Sequence, residues 1–139
     1  MPRYEEIGIG DTASFSKTVS ESDIYVFAGV TGDLNPAHID EEYARKTMFK
    51  GRIAHGMLGA GFISAVLGTR LPGPGTIYLS QELRFKAPVR IGDTVTATCK
   101  VTAKEDAKRK LTIETVVVNQ DGKVIIEGAA VVMLPADAG

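Results

Sequence analysis

The sequence predicts an α+β protein whose core is a single antiparallel sheet. Helical patterns fall in the first half of the chain, strand patterns follow one another from residue 77 onward, and a long apolar segment lies between the two halves. Strands that follow one another without intervening helices pair antiparallel, and helices gathered elsewhere cover one face of the sheet. Because a helix that is apolar nearly all round is normally buried, we expect the sheet to curl around the apolar segment.

The first 44 residues predict one strand and two helices. Residues 12–19 alternate apolar side chains with serine and threonine, which is typical of a strand, and Lys17 is the one charged side chain on the apolar side. Ser20 is a good N-cap for a first helix, and Gly32 is the residue type that ends one. Asp40 is expected to cap a second, short helix over the next four residues.

The apolar segment predicts a longer helix over residues 56–68. Its side chains are apolar on nearly every face, which is typical of a helix buried on all sides. Gly59 and Gly61 each lower the helix propensity by roughly 1 kcal/mol relative to alanine. Close packing of the helix against a neighbouring backbone would account for both glycines.

Four strands are predicted after the break at residues 71–75, which are rich in proline and glycine. Alternating or continuous apolar patterns cover residues 77–86, 94–101, 111–119 and 124–134. The Asp-Gly pair at positions 121 and 122 predicts a hairpin in which both central residues have positive φ.

Length and charge limit the classes of function. The 139 residues fit one domain, taken as residues 1–139. Sixteen basic and seventeen acidic residues give a formal net charge of −1. The chain as a whole is therefore not basic, which argues against a nucleic-acid or membrane-surface partner. The charged residues 104–110 lie between two strand patterns, so we interpret them as a solvated turn in preference to a phosphate-binding site.

A cytoplasmic location is expected from three features of the sequence. Cys99 is the only cysteine and lies on the apolar side of a predicted strand, so it is interpreted as a core residue and no internal disulfide is possible. The N-terminal residues have no apolar core of the kind that a signal peptide carries. The longest apolar stretch, residues 53–67, is shorter than the ~20 residues of a bilayer span.

The motif Asp33-x-Asn35-Pro36-x-His38 places a carboxylate and an imidazole five residues apart in a proline-containing turn. A turn of this kind can bring both side chains to one water molecule, which the pair could activate before returning a proton elsewhere on a substrate. The residues alone leave a second interpretation open, namely an Asx turn followed by a surface histidine.

A second motif, Ala54-His55-Gly56-Met57, stands directly before the apolar helix. The N–H of Gly56 would lie at the helix N-terminus, where free donors and the helix dipole stabilise developing negative charge. A carbonyl oxygen docked there would be polarised as in an oxyanion hole. The alternative is that Gly56 only permits close packing and that His55 satisfies a backbone group.

Other candidate sites are weaker. The two histidines, at positions 38 and 55, have no cysteine or carboxylate at ligand spacing, so no metal site is predicted. Ser64 lacks the surroundings of a serine nucleophile, and its hydroxyl is expected to bond either the Asp33 turn or its own helix. No glycine-rich nucleotide-binding motif is present in the sequence.

Three segments together resemble the MaoC-like family of (R)-specific enoyl-CoA hydratases and dehydratases. They are TGDLNPAHID from residue 31, FKGRIAHGML from residue 49 and LRFKAPVRIGD from residue 83. The order of elements agrees over nearly the whole chain. The resemblance implies a hot-dog fold, an antiparallel sheet wrapped around a long buried central helix, in subunits that pair as a homodimer.

The resemblance also implies roles for five residues. Asp33 would be the general base toward the water that attacks C3 of a trans-2-enoyl thioester, and His38 would hold that water and deliver a proton to C2. Asn35 would shape the turn, Gly56 would donate its N–H to the thioester oxygen, and Ser64 would position the turn or the ligand. No cofactor is implied, because coenzyme A or an acyl-carrier pantetheine is part of the substrate.

Three other functions remain open on the sequence. The same chemistry in reverse, on a different handle, would make the protein a 3-hydroxyacyl-[acyl-carrier-protein] dehydratase. A hot-dog thioesterase would hydrolyse the thioester and would have little use for the Asp33 motif. A non-catalytic acyl-thioester-binding subunit would not need Asp33 and His38 together.

Overall fold

The computed structural model describes residues 3–136, which form one five-stranded antiparallel sheet with a long helix packed on it. The strands lie in the order β1-β3-β4-β5-β2, so that β1 and β2 form the two edges. The elements are β1 (Thr12–Thr18), α1 (Glu21–Thr31), α2 (Pro36–Ile39), α3 (Glu41–Ala44), α4 (Gly56–Thr69), β2 (Ile77–Phe85), β3 (Thr94–Glu105), β4 (Lys110–Val118) and β5 (Val124–Met133).

The predicted start and end of α1 are confirmed. The Ser20 hydroxyl accepts from the N–H of Asp23, and the Asp23 carboxylate accepts in return from the N–H of Ser20, which completes a capping box. The Asp23 carboxylate also lies 3.0 Å from the ammonium group of Lys17, the charged residue on the apolar side of β1. Gly32 ends the helix at φ 82°, a conformation that glycine adopts without steric cost.

Helix α4 packs one face against the sheet and leaves the other open in the single chain. Ile63, Val66 and Leu67 are fully buried against the strands. Met57 is 55% exposed, and Ser64 lies on the same open face. Close packing is confirmed at Gly59, where an added Cβ would lie 2.8 Å from Ile126 Cδ1, although the neighbour is a side chain and not the expected backbone. For Gly61 the expectation is wrong, because no neighbouring atom of the described residues lies within 4 Å of an added Cβ.

The strand half of the fold follows the predicted order, with two differences in its turns. The hairpin between β4 and β5 is present, but the prediction of positive φ at both central residues is wrong: Gly122 has φ 76°, whereas Asp121 does not adopt positive φ. The Asn119 carboxamide accepts from two N–H groups of this turn, and these bonds stabilise a turn of a different type from the one expected. Strand β3 continues to Glu105, which shortens the solvated charged turn.

Cys99 lies on the buried face of β3, as predicted. Its side chain is fully buried, and burial raises the pKa of the thiol to about 12. The thiol is therefore protonated at neutral pH and behaves as a small apolar group. Between residues 3 and 136, no helix is long and apolar enough to cross a membrane.

The pairing of β2 with β5 depends on Gly128, which lies opposite Leu83. A Cβ at this position would lie 1.9 Å from the main-chain oxygen of Glu82, so Gly128→Ala has to displace backbone. We expect a loss of about 1–3 kcal/mol in the free energy of unfolding, measured by urea denaturation. The control is Gly29→Ala in α1, where no atom lies within 4 Å of the added Cβ and a gain of about 0.5–1 kcal/mol is expected. Equal effects of the two changes would contradict this account of Gly128.

Candidate active site

The Asp33 motif forms a capped helical turn instead of an open loop. The Asp33 carboxylate accepts from the N–H of Asn35 at 3.3 Å, and the Asn35 carboxamide accepts from the N–H of Ala37 at 3.0 Å as the N-cap of α2. Pro36 occupies the first turn of α2, where its missing N–H costs nothing. An Asx turn is thus present, and Asn35 shapes it, while the side chains of Asp33 and Asn35 stay exposed.

His38 is not the surface histidine of the second interpretation. It is 9% exposed, and its Nδ1 lies 2.8 Å from the main-chain oxygen of Ile53. A carbonyl oxygen only accepts, so Nδ1 carries the hydrogen of this bond. The other ring nitrogen, Nε2, is therefore free to accept a proton from a water molecule or, once protonated, to donate one.

Arg52 holds the turn that carries His38 against helix α1. Its Nε donates to the main-chain oxygen of His38 at 2.8 Å, its Nη1 lies 2.6 Å from a Glu21 carboxylate oxygen, and its guanidinium lies 5.1 Å from the centre of the Tyr25 ring. The hydrogen bond to Glu21 raises the pKa of Arg52 and lowers that of Glu21, so both groups stay charged. Arg52 was not identified from the sequence, because none of these three partners is near it in the chain.

His55 reaches both members of the Asp33–His38 pair. Its Nε2 lies 2.9 Å from the main-chain oxygen of Asp33, and its ring centre lies 3.9 Å from that of His38 and 4.7 Å from that of Phe27. The interpretation that His55 satisfies a backbone group is correct, but the group belongs to the proposed catalytic base. The sequence gives no signal for this contact, since 22 residues separate the two positions.

Asp33, His38 and His55 also form the kind of group that can bind a metal, with one ligand atom from each within 4.8 Å of the others. The spacing argument missed this group. His38 Nδ1 and His55 Nε2 each lie within hydrogen-bond distance of a main-chain oxygen, which leaves one nitrogen of each ring for an ion. The absence of a metal stays a prediction.

Two cavities meet at Asp33. The first has a volume of about 560 Å³ and contains Asp33, His38 and Gly56 in its wall, with mainly apolar residues elsewhere. The second has a volume of about 680 Å³ and runs from Asp33 and Ser64 to side chains of β2. Asp33 therefore lies beside a ligand that occupies either cavity.

The remaining predicted residues lie on α4. Gly56 is the first residue of the helix, and a Cβ there would lie 2.8 Å from the Phe85 ring, so close packing at this glycine is real. The first N–H groups of a helix have no partner within it, which leaves the Gly56 donor available to the cavity. Ser64 faces the second cavity, on the same side as Asp33.

Comparison with known proteins identifies the family of the chain. A family model for the MaoC-like domain matches residues 6–123. The chain belongs to the MaoC-like family. It is 63% identical to an (R)-specific enoyl-CoA hydratase of Rhodospirillum rubrum, over 96% of this chain and 92% of that protein. It is 46% identical to a 3-hydroxybutyryl-CoA dehydratase of Methylorubrum extorquens, over 95% of this chain and 83% of that protein.

A solved structure shares the fold. The (R)-hydratase from A. caviae involved in PHA biosynthesis superposes with a TM-score of 0.91 at 42% identity, over 94% of this chain and 99% of that one. The predicted α+β class and hot-dog fold are therefore confirmed.

Proposed function

We propose that this MaoC-like protein is an (R)-specific enoyl-CoA hydratase, a hydro-lyase that adds water reversibly to a trans-2-enoyl-CoA. The observation that carries the proposal is the placement of the Asp33 carboxylate and of His38, with its free Nε2, in the wall of one apolar cavity that also contains the N-terminus of α4. Relatives named as an (R)-specific enoyl-CoA hydratase and as a 3-hydroxybutyryl-CoA dehydratase act on the two sides of one equilibrium, which supports it.

The proposed reaction uses the pair as a relay for one proton of a water molecule. The water lies between the Asp33 carboxylate and His38 Nε2, and its oxygen forms a bond to C3 of the enoyl group as Asp33 takes a proton. The electron pair of the C2–C3 double bond moves toward the thioester carbonyl. Asp33 passes this proton to the free Nε2 of His38, which delivers it to C2. The product then carries the hydroxyl on C3 and a new hydrogen on C2, and both side chains return to their starting state.

The N-terminus of α4 stabilises the charge that this step produces. As the electron pair moves, negative charge grows on the thioester oxygen, and the N–H of Gly56 together with the helix dipole stabilises it. An apolar cavity strengthens this interaction, because less water is present to screen it. No cofactor takes part in these steps, since the thioester itself activates C3.

The active subunit is proposed to work as a homodimer joined along β2. This edge strand carries a row of exposed apolar and aromatic side chains, namely Ile77, Tyr78, Leu79 and Phe85. The second cavity lies between β2 and the open face of α4, so a partner placed there would cover both and close the cavity. The other edge strand, β1, is mostly serine and threonine and carries Lys17, which favours β2 as the paired edge.

The direct test of the proposal is turnover of crotonyl-CoA, followed by the loss of enoyl-thioester absorbance. We expect hydration and a 3-hydroxybutyryl product that is mainly the (R) isomer by chiral chromatography. Crotonyl on an acyl-carrier protein is the parallel substrate: preference for the carrier-linked form would assign the alternative dehydratase role. A mainly (S) product would contradict the proposed arrangement of Asp33, His38 and Gly56, and release of free CoA without hydration would indicate a thioesterase.

Asp33→Asn separates catalysis from the structure of the turn. The carboxamide keeps an oxygen that can accept from the N–H of Asn35, but it is not a base. We expect kcat for crotonyl-CoA to fall roughly 10²–10⁴-fold with little change in KM or melting temperature, and His38→Ala to behave similarly. Asp40→Asn, which alters the N-cap of α3 by the same chemical change, is the control and should retain activity. Asp33→Asn with more than about a tenth of wild-type kcat would exclude Asp33 as the base.

Sedimentation equilibrium tests the proposed dimer. We expect a dimer at micromolar concentration, and we expect Leu79→Lys on β2 to shift it toward monomer, because the change buries a charge among apolar side chains. Ser14→Lys places the same charge on the β1 edge and should leave the dimer intact. A monomeric wild type, or equal effects of the two substitutions, would rule out pairing through β2.

A further inference from the structure

His55 is a buried titratable residue that the proposed mechanism does not use. It is 3% exposed, and no hydrogen-bond partner within the described residues reaches its Nδ1. Burial of an imidazole with one unpartnered nitrogen costs free energy, so packing alone is a poor reason for its presence. Its contacts instead converge on the proposed catalytic groups.

The hydrogen bond to Asp33 determines the tautomer of His55. The main-chain oxygen of Asp33 only accepts, so the hydrogen of this bond is on His55 Nε2. In the neutral ring, Nδ1 then carries a lone pair and no hydrogen. Because the bond goes to the main chain of Asp33, it fixes the backbone from which the carboxylate projects without occupying the carboxylate itself.

The position of His55 in the chain links this bond to the helix. His55 is the N-cap residue of α4, with φ −59° and ψ 134°, and Gly56 follows it as the first helical residue. One residue thus joins the backbone that carries the proposed base to the helix end that carries the proposed oxyanion donor. On its ring faces, the imidazole lies between Phe27 and His38, with centres 4.7 and 3.9 Å away.

We propose that His55 is a positioning residue, which sets the distance between the Asp33 carboxylate and the Gly56 N–H through its hydrogen bond to the Asp33 main chain. The inference rests on the proposed hydratase function. A substrate has to place C3 beside the water held by Asp33 and its thioester oxygen at Gly56 in the same pose, so the two groups must keep a fixed separation. Misplacement of a reacting group by about 1 Å can lower a rate roughly 10²-fold.

Two substitutions separate the hydrogen bond from the ring. His55→Phe keeps an aromatic ring between Phe27 and His38 but has no donor for the Asp33 oxygen. His55→Gln removes the ring but has a terminal amide that can donate in place of Nε2. If the hydrogen bond is the functional contact, kcat for crotonyl-CoA should fall about 10–100-fold in His55→Phe, with KM changed less than about threefold. The kcat of His55→Gln should be at least about tenfold higher than that of His55→Phe.

A purely structural His55 predicts a different pattern. In that case the ring-preserving His55→Phe should be the more active and the more thermally stable variant, and this result would overturn the proposal. Should His55→Phe fail to fold, His55→Ala against His55→Gln makes the same comparison, and equal activity of these two variants would count equally against it.

A double-mutant cycle tests whether His55 acts through Asp33. In an Asp33→Asn background the base is already lost, so adding His55→Phe should lower kcat by less than about threefold. A loss as large as in the wild-type background would show that His55 acts independently of Asp33, and would overturn the proposal. A wild type that hydrates neither thioester would overturn the hydratase function and this inference together, whereas an inactive Asp33→Asn with a fully active His55→Phe would overturn this inference alone.

Discussion

Helix α4 lies so close to the sheet that two of its glycines face neighbouring side chains directly. A Cβ at Gly59 would come within 2.8 Å of Ile126, and a Cβ at Gly56 within 2.8 Å of the Phe85 ring. This close packing sets the position of the first turn of α4 relative to the sheet, and therefore the positions of His55 and Gly56. The loss of helix propensity at the glycines is compensated by burial of the apolar face of α4. The remaining parts of the site are built onto this helix end.

The proposed catalytic turn is attached to the fold mainly through main-chain oxygen atoms. His38 donates to Ile53, His55 donates to Asp33, and Arg52 donates to His38 itself. Each bond leaves the reactive part of the site unoccupied: the Asp33 carboxylate stays exposed, and Nε2 of His38 stays free. Fixing side chains by their backbone contacts is an effective way of preorganising acid–base groups, since no competing charge has to be displaced when substrate binds.

The single chain exposes apolar surface around the second cavity. Met57 and the apolar side chains of β2 border it, and Asp33 is shared by both cavities. Under the proposed pairing along β2, a partner would cover this surface and would enclose the side of the site that faces Ser64. Subunit pairing and the depth of the acyl site are then two consequences of the same surface.

The sequence alone determined the α+β class, the family and most element boundaries. Local signals were sufficient there: Ser20 and Gly32 delimit α1 through their own side-chain and backbone chemistry, and the alternation around Cys99 places it inside the sheet. The family resemblance, carried by the motifs around Asp33 and Gly56, is confirmed, while the individual roles of these residues stay predictions. The turn type expected at Asp121 was wrong, because the Asn119 side chain accepts hydrogen bonds from the N–H groups of Asp121 and Lys123. These bonds stabilise a turn in which Asp121 does not need positive φ.

Only the tertiary structure determined which residues surround the Asp33–His38 pair. His55 lies 22 residues after Asp33, and Arg52 lies 14 residues after His38. The packing of α4 and α1 against the turn brings each pair into contact. It also left the Ser64 face of α4 open, although the pattern of its residues had predicted burial on every side. Hydrophobic periodicity reports how much of a helix avoids water, but it does not report whether the same chain or a second subunit provides the cover.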